Sequence, residues 1–339
     1  MNPQLGIRYL PEFGIEKYVS ESSFIDAEFS LNAYGFAQFK SSEDIQTDGN
    51  IDPYRLWLRF STSRFEARIG LQKINFGSAT LLRPMMWFDS VDPRDPLQLT
   101  DGVYAFLVRY YFINNANIWL WGLYGDDKTK GWESIPTVKN SVEYGGRFQL
   151  PLLTGELALT YHHRQADLSK APFPLFGQNN SSVPEDRLGV DGKWDMGIGF
   201  WLEGVLVRQE SNALPMKWQR AMNIGLDYTF NLGNGINCLG EHFRLERARD
   251  AFASGENIDF SALMLRYPFG ILDEISCILY YDWDNKDFYR FINWQRTYDR
   301  WRLNLIVFWN PDDFLIYPNQ AGASSFSGRG FQVMIVFNY

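Results

Sequence analysis

The chain has 339 residues, 45% hydrophobic and 17% aromatic, with a mean hydropathy of −0.28 and a net charge of −8. An acidic chain of this kind argues against a nucleic-acid surface, and no run of about 18 apolar residues is present to make a membrane-crossing helix. No Pro-, Gly- or Ser-rich linker and no shift in composition divides it, so it reads as one domain with a short N-terminal segment.

Residues 1–21 form that segment, read as an extra strand, a periplasmic arm or an inward plug. No signal peptide is visible at Met1-Asn2-Pro3, and a chain exported from the cytoplasm implies that one was removed. From residue 22 to 339 a period of two recurs, the signal of half-buried strands. Ile25, Ala27, Phe29 and Leu31 alternate with Asp26, Glu28, Ser30 and Asn32. Tyr54, Leu56, Leu58 and Phe60 alternate with Arg55, Trp57 and Arg59. After a Ser61–Ser63 turn, Phe65, Ala67, Ile69 and Leu71 oppose Arg64, Glu66, Arg68 and Gly70. The same pattern runs through 142–150, 222–230 and 301–309.

Short connections alternate with long polar ones, the latter at 41–53, 72–100, 125–140, 166–186, 209–218, 248–257 and 310–330. Short turns on one side and long loops on the other characterise transmembrane antiparallel β-barrels. The expected fold is therefore all-β, an antiparallel barrel of about 16 strands. The ending Phe331-Gln332-Val333-Met334-Ile335-Val336-Phe337-Asn338-Tyr339 is apolar on one face and ends on an aromatic residue, as the last strand of a bacterial outer-membrane barrel does. Tryptophans and tyrosines near strand ends suit the interfacial girdles of such barrels.

From Arg68 the chain carries Gly70, Gln72 and Gly77, followed by an Asp- and Pro-rich stretch, Trp87-Phe88-Asp89 through Asp92-Pro93-Arg94-Asp95-Pro96. This segment resembles one in substrate-translocating outer-membrane porins, including alginate-export-type barrels. The resemblance implies a transport barrel in the bacterial outer membrane.

Charged side chains at inward parity are the expected pore lining: Asp26, Glu28, Arg55, Arg59, Arg64, Glu66, Arg68, Glu143, Arg147, His162, Arg164, Asp227, His242, Arg244, Glu246 and Arg302. On the lipid face a charge would cost about 2–4 kcal/mol at midplane. The 72–100 loop, with Arg83, Asp89, Asp92, Arg94 and Asp95, is expected to fold inward as a constriction, the alternative being a purely external cap. Its apolar run Leu81, Leu82, Met85, Met86, Trp87 and Phe88 needs a dry environment.

The three histidines lack metal-ligand spacing, and no nucleophile elbow, phosphate loop or dinucleotide fingerprint appears. Cys238 and Cys277 match no metal or CxxC pattern. The expectation is a non-enzymatic channel without a cofactor, in contact with outer-membrane lipid and passing small hydrophilic solutes. A plugged barrel that scaffolds a partner protein is the alternative, with Met85–Phe88 and Phe173, Pro174, Leu175 and Phe176 as docking residues. A homo-oligomer is compatible with either. Asn179-Asn180-Ser181 reads as a polar loop.

Overall fold

The computed structural model describes residues 3–39, 45–171, 182–210, 216–311 and 326–339. Phe173, Pro174, Leu175, Phe176 and Asn179–Ser181 lie outside the described residues. Among the described residues, eighteen strands form one antiparallel sheet: β1 (Gln4–Tyr9), β2 (Glu12–Ser20), β3 (Ser23–Phe39), β4 (Ile45–Thr62), β5 (Phe65–Gln72), β6 (Val103–Tyr111), β7 (Asn117–Tyr124), β8 (Val142–Leu152), β9 (Gly155–Asp167), β10 (Ser182–Asp195), β11 (Gly199–Gln209), β12 (Trp218–Phe230), β13 (Ile236–Ala248), β14 (Glu256–Pro268), β15 (Asp273–Asp282), β16 (Asp287–Thr297), β17 (Trp301–Trp309) and β18 (Arg329–Phe337).

The expected count was about sixteen, and β3 through β18 are sixteen strands. The two additional strands come from the N-terminal segment. β2 pairs with the first half of β3 and β1 with the second half, so together they occupy one position beside it. They are interrupted at Leu10-Pro11, because proline has no N–H to give a ladder. Pro11 still accepts from the backbone of Leu31 at 3.2 Å.

Each strand from β2 onward pairs with the next in sequence, so the strands alternate in direction. One end of the sheet carries tight turns, such as those between β4 and β5 and between β8 and β9. The other carries the long connections 73–102 and 125–141.

The outer face is apolar and exposed: Leu56 and Leu58 on β4, Ile224 and Leu226 on β12, Val333 and Ile335 on β18. Facing a bilayer, these side chains meet hydrocarbon, and the paired backbone leaves no polar group for lipid to solvate. The inner face holds the hydrophobic core. Ile74, Phe76, Leu81, Leu82, Met85, Met86, Trp87 and Phe88, all from the 73–102 connection, pack with Trp121, Trp201, Phe243, Met264, Phe291 and Phe308 from the wall. Burial of each such side chain contributes about 1.5–3 kcal/mol, which is why this connection lies inside the barrel.

Candidate functional site: an inward loop and a charged wall

The 73–102 connection has almost no regular structure, so its backbone N–H groups need partners. Two carboxylates on the far wall supply them. Glu203 on β11 accepts from Ala79 N at 2.7 Å through Oε1 and from Met85 N at 3.2 Å through Oε2. Glu241 on β13 accepts from Thr80 N at 2.6 Å, Leu81 N at 3.0 Å and Leu82 N at 2.6 Å. Asn223 on β12 donates to Leu82 O at 2.7 Å. The loop leaves β5, crosses to β11–β13 and returns to β6. Gly77 has φ +99° and lies against Glu203, so a side chain there would be both strained and crowded.

The loop charges singled out in the sequence are consumed largely within the loop. Arg83 pairs with Asp89 at 2.6 Å and Arg94 with Asp92 at 2.6 Å, while Asp95 accepts from Leu97 N at 2.9 Å. These contacts fix the loop's own shape.

The 125–141 connection also folds inward. Trp132 donates to Arg83 O at 2.7 Å and stacks on Phe243, centroids 5.3 Å apart. Gly131, at φ +48°, sits against the Met86 backbone where a Cβ has no room. Beside it lies a buried ion network. Lys130 reaches Glu143 at 2.8 Å. Glu133 reaches Arg164 at 3.3 Å and Arg187 at 2.7 Å. Glu185 pairs with Arg164 and Arg187, both at 2.6 Å, and Arg147 pairs with Asp191. Four cations meet four carboxylates, which lowers the cost of burying each. His162 accepts from Trp121 Nε1 at Nδ1, 3.2 Å, so its proton sits on Nε2, facing Glu143 at 3.0 Å. Asp126 lies next to this network. Burial pushes its carboxyl up to about 6, against the pull of Lys130 and with a further push from Glu143 and Glu133.

A second cluster lies on the inner wall toward the turn end. Arg59 holds Asp26 with two hydrogen bonds, 2.8 and 2.6 Å. Arg68 and Arg109 share Glu66, at 3.2 and 3.6 Å. Arg68 lies over the ring of Trp57 at 4.6 Å and Arg109 over Trp119 at 3.9 Å. Three arginines face two carboxylates here, and the Nε groups of Arg68 and Arg109 have no hydrogen-bond partner among the described residues.

Of the expected lining residues, Asp26, Arg59, Glu66 and Arg68 come together in this second cluster, and Glu143, Arg147, His162 and Arg164 in the first. Glu28 has the inner parity of Asp26, Arg55 bonds the Thr100 carbonyl at 3.1 Å, and Asp227 and Arg302 stand on the inner parity of β12 and β17. Four placements are corrected. Arg64 is exposed in the β4–β5 turn, off the wall. His242, Arg244 and Glu246 lie on the outer face of β13, opposite Ile224, Met222 and Arg220, because the inner residues are Glu241, Phe243 and Leu245. The rule that apolar side chains face lipid inverts on β13, where an apolar loop lies inside. Arg244 and His242 stand within 3.8 and 4.0 Å of Asp259, and Arg220 pairs with Glu246 at 2.8 Å.

Sequence reasoning missed Glu203, Glu241, Asn223, Lys130, Glu133, Glu185, Arg187, Asp191 and Arg109. On β11, Trp201-Leu202-Glu203-Gly204-Val205 is apolar on both faces, so no alternation marks Glu203. Glu241 has the same parity as apolar Leu239 and Phe243, which disguised it as a lipid-side residue. Among the described residues no cluster of three or more metal-ligating side chains is present.

No family model and no curated protein matches the sequence. The fold is similar to that of OccAB1 of Acinetobacter baumannii, at 10% identity over 99% of this chain and 95% of that one, TM-score 0.50. It is similar to OccD3 (OpdP) of Pseudomonas aeruginosa, at 9% identity over 99% and 92%, TM-score 0.50. It is also similar to Wzi of Escherichia coli, an outer-membrane protein involved in group 1 capsule assembly and a carbohydrate-binding β-barrel, at 11% identity over 89% and 79%, TM-score 0.51. The likeness is one of fold: this is a porin-like β-barrel of the bacterial outer-membrane type.

Proposed function

We propose that the protein is a passive channel in the bacterial outer membrane for small hydrophilic solutes. The observation that carries this reading is the 73–102 connection folded inside the barrel and bound across it by Glu203 and Glu241, rather than capping it from outside. It narrows the lumen from one side. The opposite wall carries Asp26, Arg59, Glu66, Arg68 and Arg109, whose fixed charges would set the local potential for a passing solute. Transport is downhill and uses no cofactor. Asp92, Arg94 and the Arg83–Asp89 pair act by holding the narrowing loop in shape.

The test is conductance of the refolded protein in a planar bilayer. Stable steps that grow when Leu81–Asp95 is deleted support the channel; an unchanged conductance on deletion sinks the constriction. A folded barrel that never conducts favours a second reading, a plugged scaffold for a partner protein. One observation favours that reading: the apolar cluster from the loop is continuous with wall residues as far around as Phe291 and Phe308.

A further inference from the structure

The inward connections cover most of the inner wall and leave one sector bare. From β6 to β17 the inner face is buried at its middle, as at Leu107, Thr160, Trp201, Phe243, Tyr280 and Ile306. The sector formed by β18, β1, β2, β3 and β4 differs. On its inner face Gln332, Tyr34 and Trp57 are half-buried, and Arg8, Glu12 and Glu16 are exposed. Among the described residues only Ser30 and Arg55 are buried there. Gly14 stands on this face opposite Glu28, and a Cβ on it would meet nothing within 4 Å. Tyr9 and Tyr339 stack with centroids 6.2 Å apart, which brings β1 and β18 side by side. The space left in the lumen is therefore an off-centre lane along this sector.

The lane carries uncompensated negative charge along its height. Asp48 and Asp52 stand on the inner parity of β4 toward the loop end. Glu12 and Glu28 flank Gly14, and Glu16 stands opposite Asp26 toward the turn end. Against these six carboxylates the same described face has three cations, Arg8, Arg55 and Arg59. Arg59 is spent on Asp26, at 2.8 and 2.6 Å, and Arg55 on the carbonyls of Tyr54 and Thr100. Among the described residues no cation comes within ion-pair distance of Glu12, Glu16, Glu28, Asp48 or Asp52. The covered wall is the opposite case. There Glu66, Glu143, Glu185 and Asp191 are held by cations, and Glu203 and Glu241 by backbone amides. A charge without a partner persists only where water solvates it, so burial and charge pairing independently mark the same sector as the wet one.

We infer that solutes cross along this lane, between the inward loop and the wall from β18 to β4, and that Glu12, Glu16 and Glu28 make it select small hydrophilic cations. Like charges along a narrow wet groove with low-dielectric walls focus the potential and concentrate counter-ions. Because unpaired carboxylates stand at successive levels, a cation meets one after another, and an anion is repelled throughout. Arg68 and Arg109 stand one and two strands beyond β4 and share Glu66. They border the lane and temper its potential without lining it. The inference rests on the channel reading and adds to it the route and the sign of the charge that passes.

The experiment uses the full chain folded in a lipid bilayer. Gly14→Cys sets a thiol in the lane, where a side chain has room. Cys238 and Cys277 stand on the outer parity of β13 and β15, and the unsubstituted protein treated in the same way gives their background. Two methanethiosulfonates are compared, one carrying trimethylammonium and one carrying sulfonate. The cationic reagent should modify the introduced thiol several-fold faster than the anionic one, relative to their ratio on a free thiol in solution. Glu12→Gln, Glu16→Gln and Glu28→Gln together should abolish most of that preference. Either adduct should lower the single-channel conductance. In a KCl gradient the reversal potential should show potassium several-fold more permeant than chloride, and should move toward zero in the triple variant. Equal rates for the two reagents, or a faster anionic one, overturn the assigned sign, and modification that leaves the conductance unchanged overturns the route. A folded barrel without current overturns the channel reading and the route with it. The thiol rates need no current, so this failure is told apart from a lane of the wrong charge.

Discussion

The carboxylate of Glu241 accepts the backbone N–H of Leu82 at 2.6 Å, joining residues 159 positions apart across the inside of the barrel. The same carboxylate receives Thr80 and Leu81. One side chain thus holds three successive amides of a segment that has no ladder of its own, and hydrogen bonds to a charged acceptor are the stronger kind.

Glu241→Gln should free this part of the loop without changing side-chain volume. The amide group has one carbonyl oxygen in place of two carboxylate oxygens, so at least one of the three N–H groups loses its acceptor. The expected cost is about 1–3 kcal/mol. Amides 80–82 should exchange faster by about one to two powers of ten, and conductance should become noisier. Unaltered exchange at these amides would show that apolar packing alone holds the loop.

The arginine-rich wall makes a prediction about ions. Arg68 and Arg109 share one carboxylate, Glu66, and rest on Trp57 and Trp119. Replacing both by glutamine leaves Glu66 with Arg59 at 3.7 Å as its neighbouring cation. The local charge falls by two. The anion-to-cation permeability ratio, read from reversal potentials, should drop several-fold. An unchanged ratio would place the selective stretch elsewhere.

Asp126 gives the 125–141 loop a pH dependence. Its carboxyl is raised from 3.8 to about 6 in the folded protein, chiefly by burial. A raised carboxyl binds its proton more tightly when folded, so its contribution to stability is fullest below about pH 4 and declines as pH rises to about 6. Above that, the buried charge costs on the order of 2–3 kcal/mol. Asp126→Asn should therefore slow exchange of the loop amides at pH 7 and flatten their dependence between pH 4 and 6. A variant with the wild-type pH profile would rule Asp126 out as the titrating group.

Sequence by itself determined the barrel. Alternation along β3, β4, β5, β8, β12, β17 and β18 is a local property: successive side chains in a strand point to opposite faces, and lipid demands that one face be apolar. It also brought Asp26, Arg59, Glu66 and Arg68 onto the inner wall, because their strands have a clean polar face. Leu81–Phe88 announced itself as an apolar run in need of cover. What only the tertiary structure decided is what covers it. Once that run lies inside, the wall facing it becomes apolar as well, and parity no longer separates lumen from lipid on β11 and β13–β16. Glu203 and Glu241 are invisible in such strands, since their partners are backbone amides more than a hundred residues away. His242, Arg244 and Glu246 look like lining residues until the register sets Glu241, Phe243 and Leu245 inward. Strand pairing is non-local, so which residues of β13 face inward emerges only when the ladder is assembled.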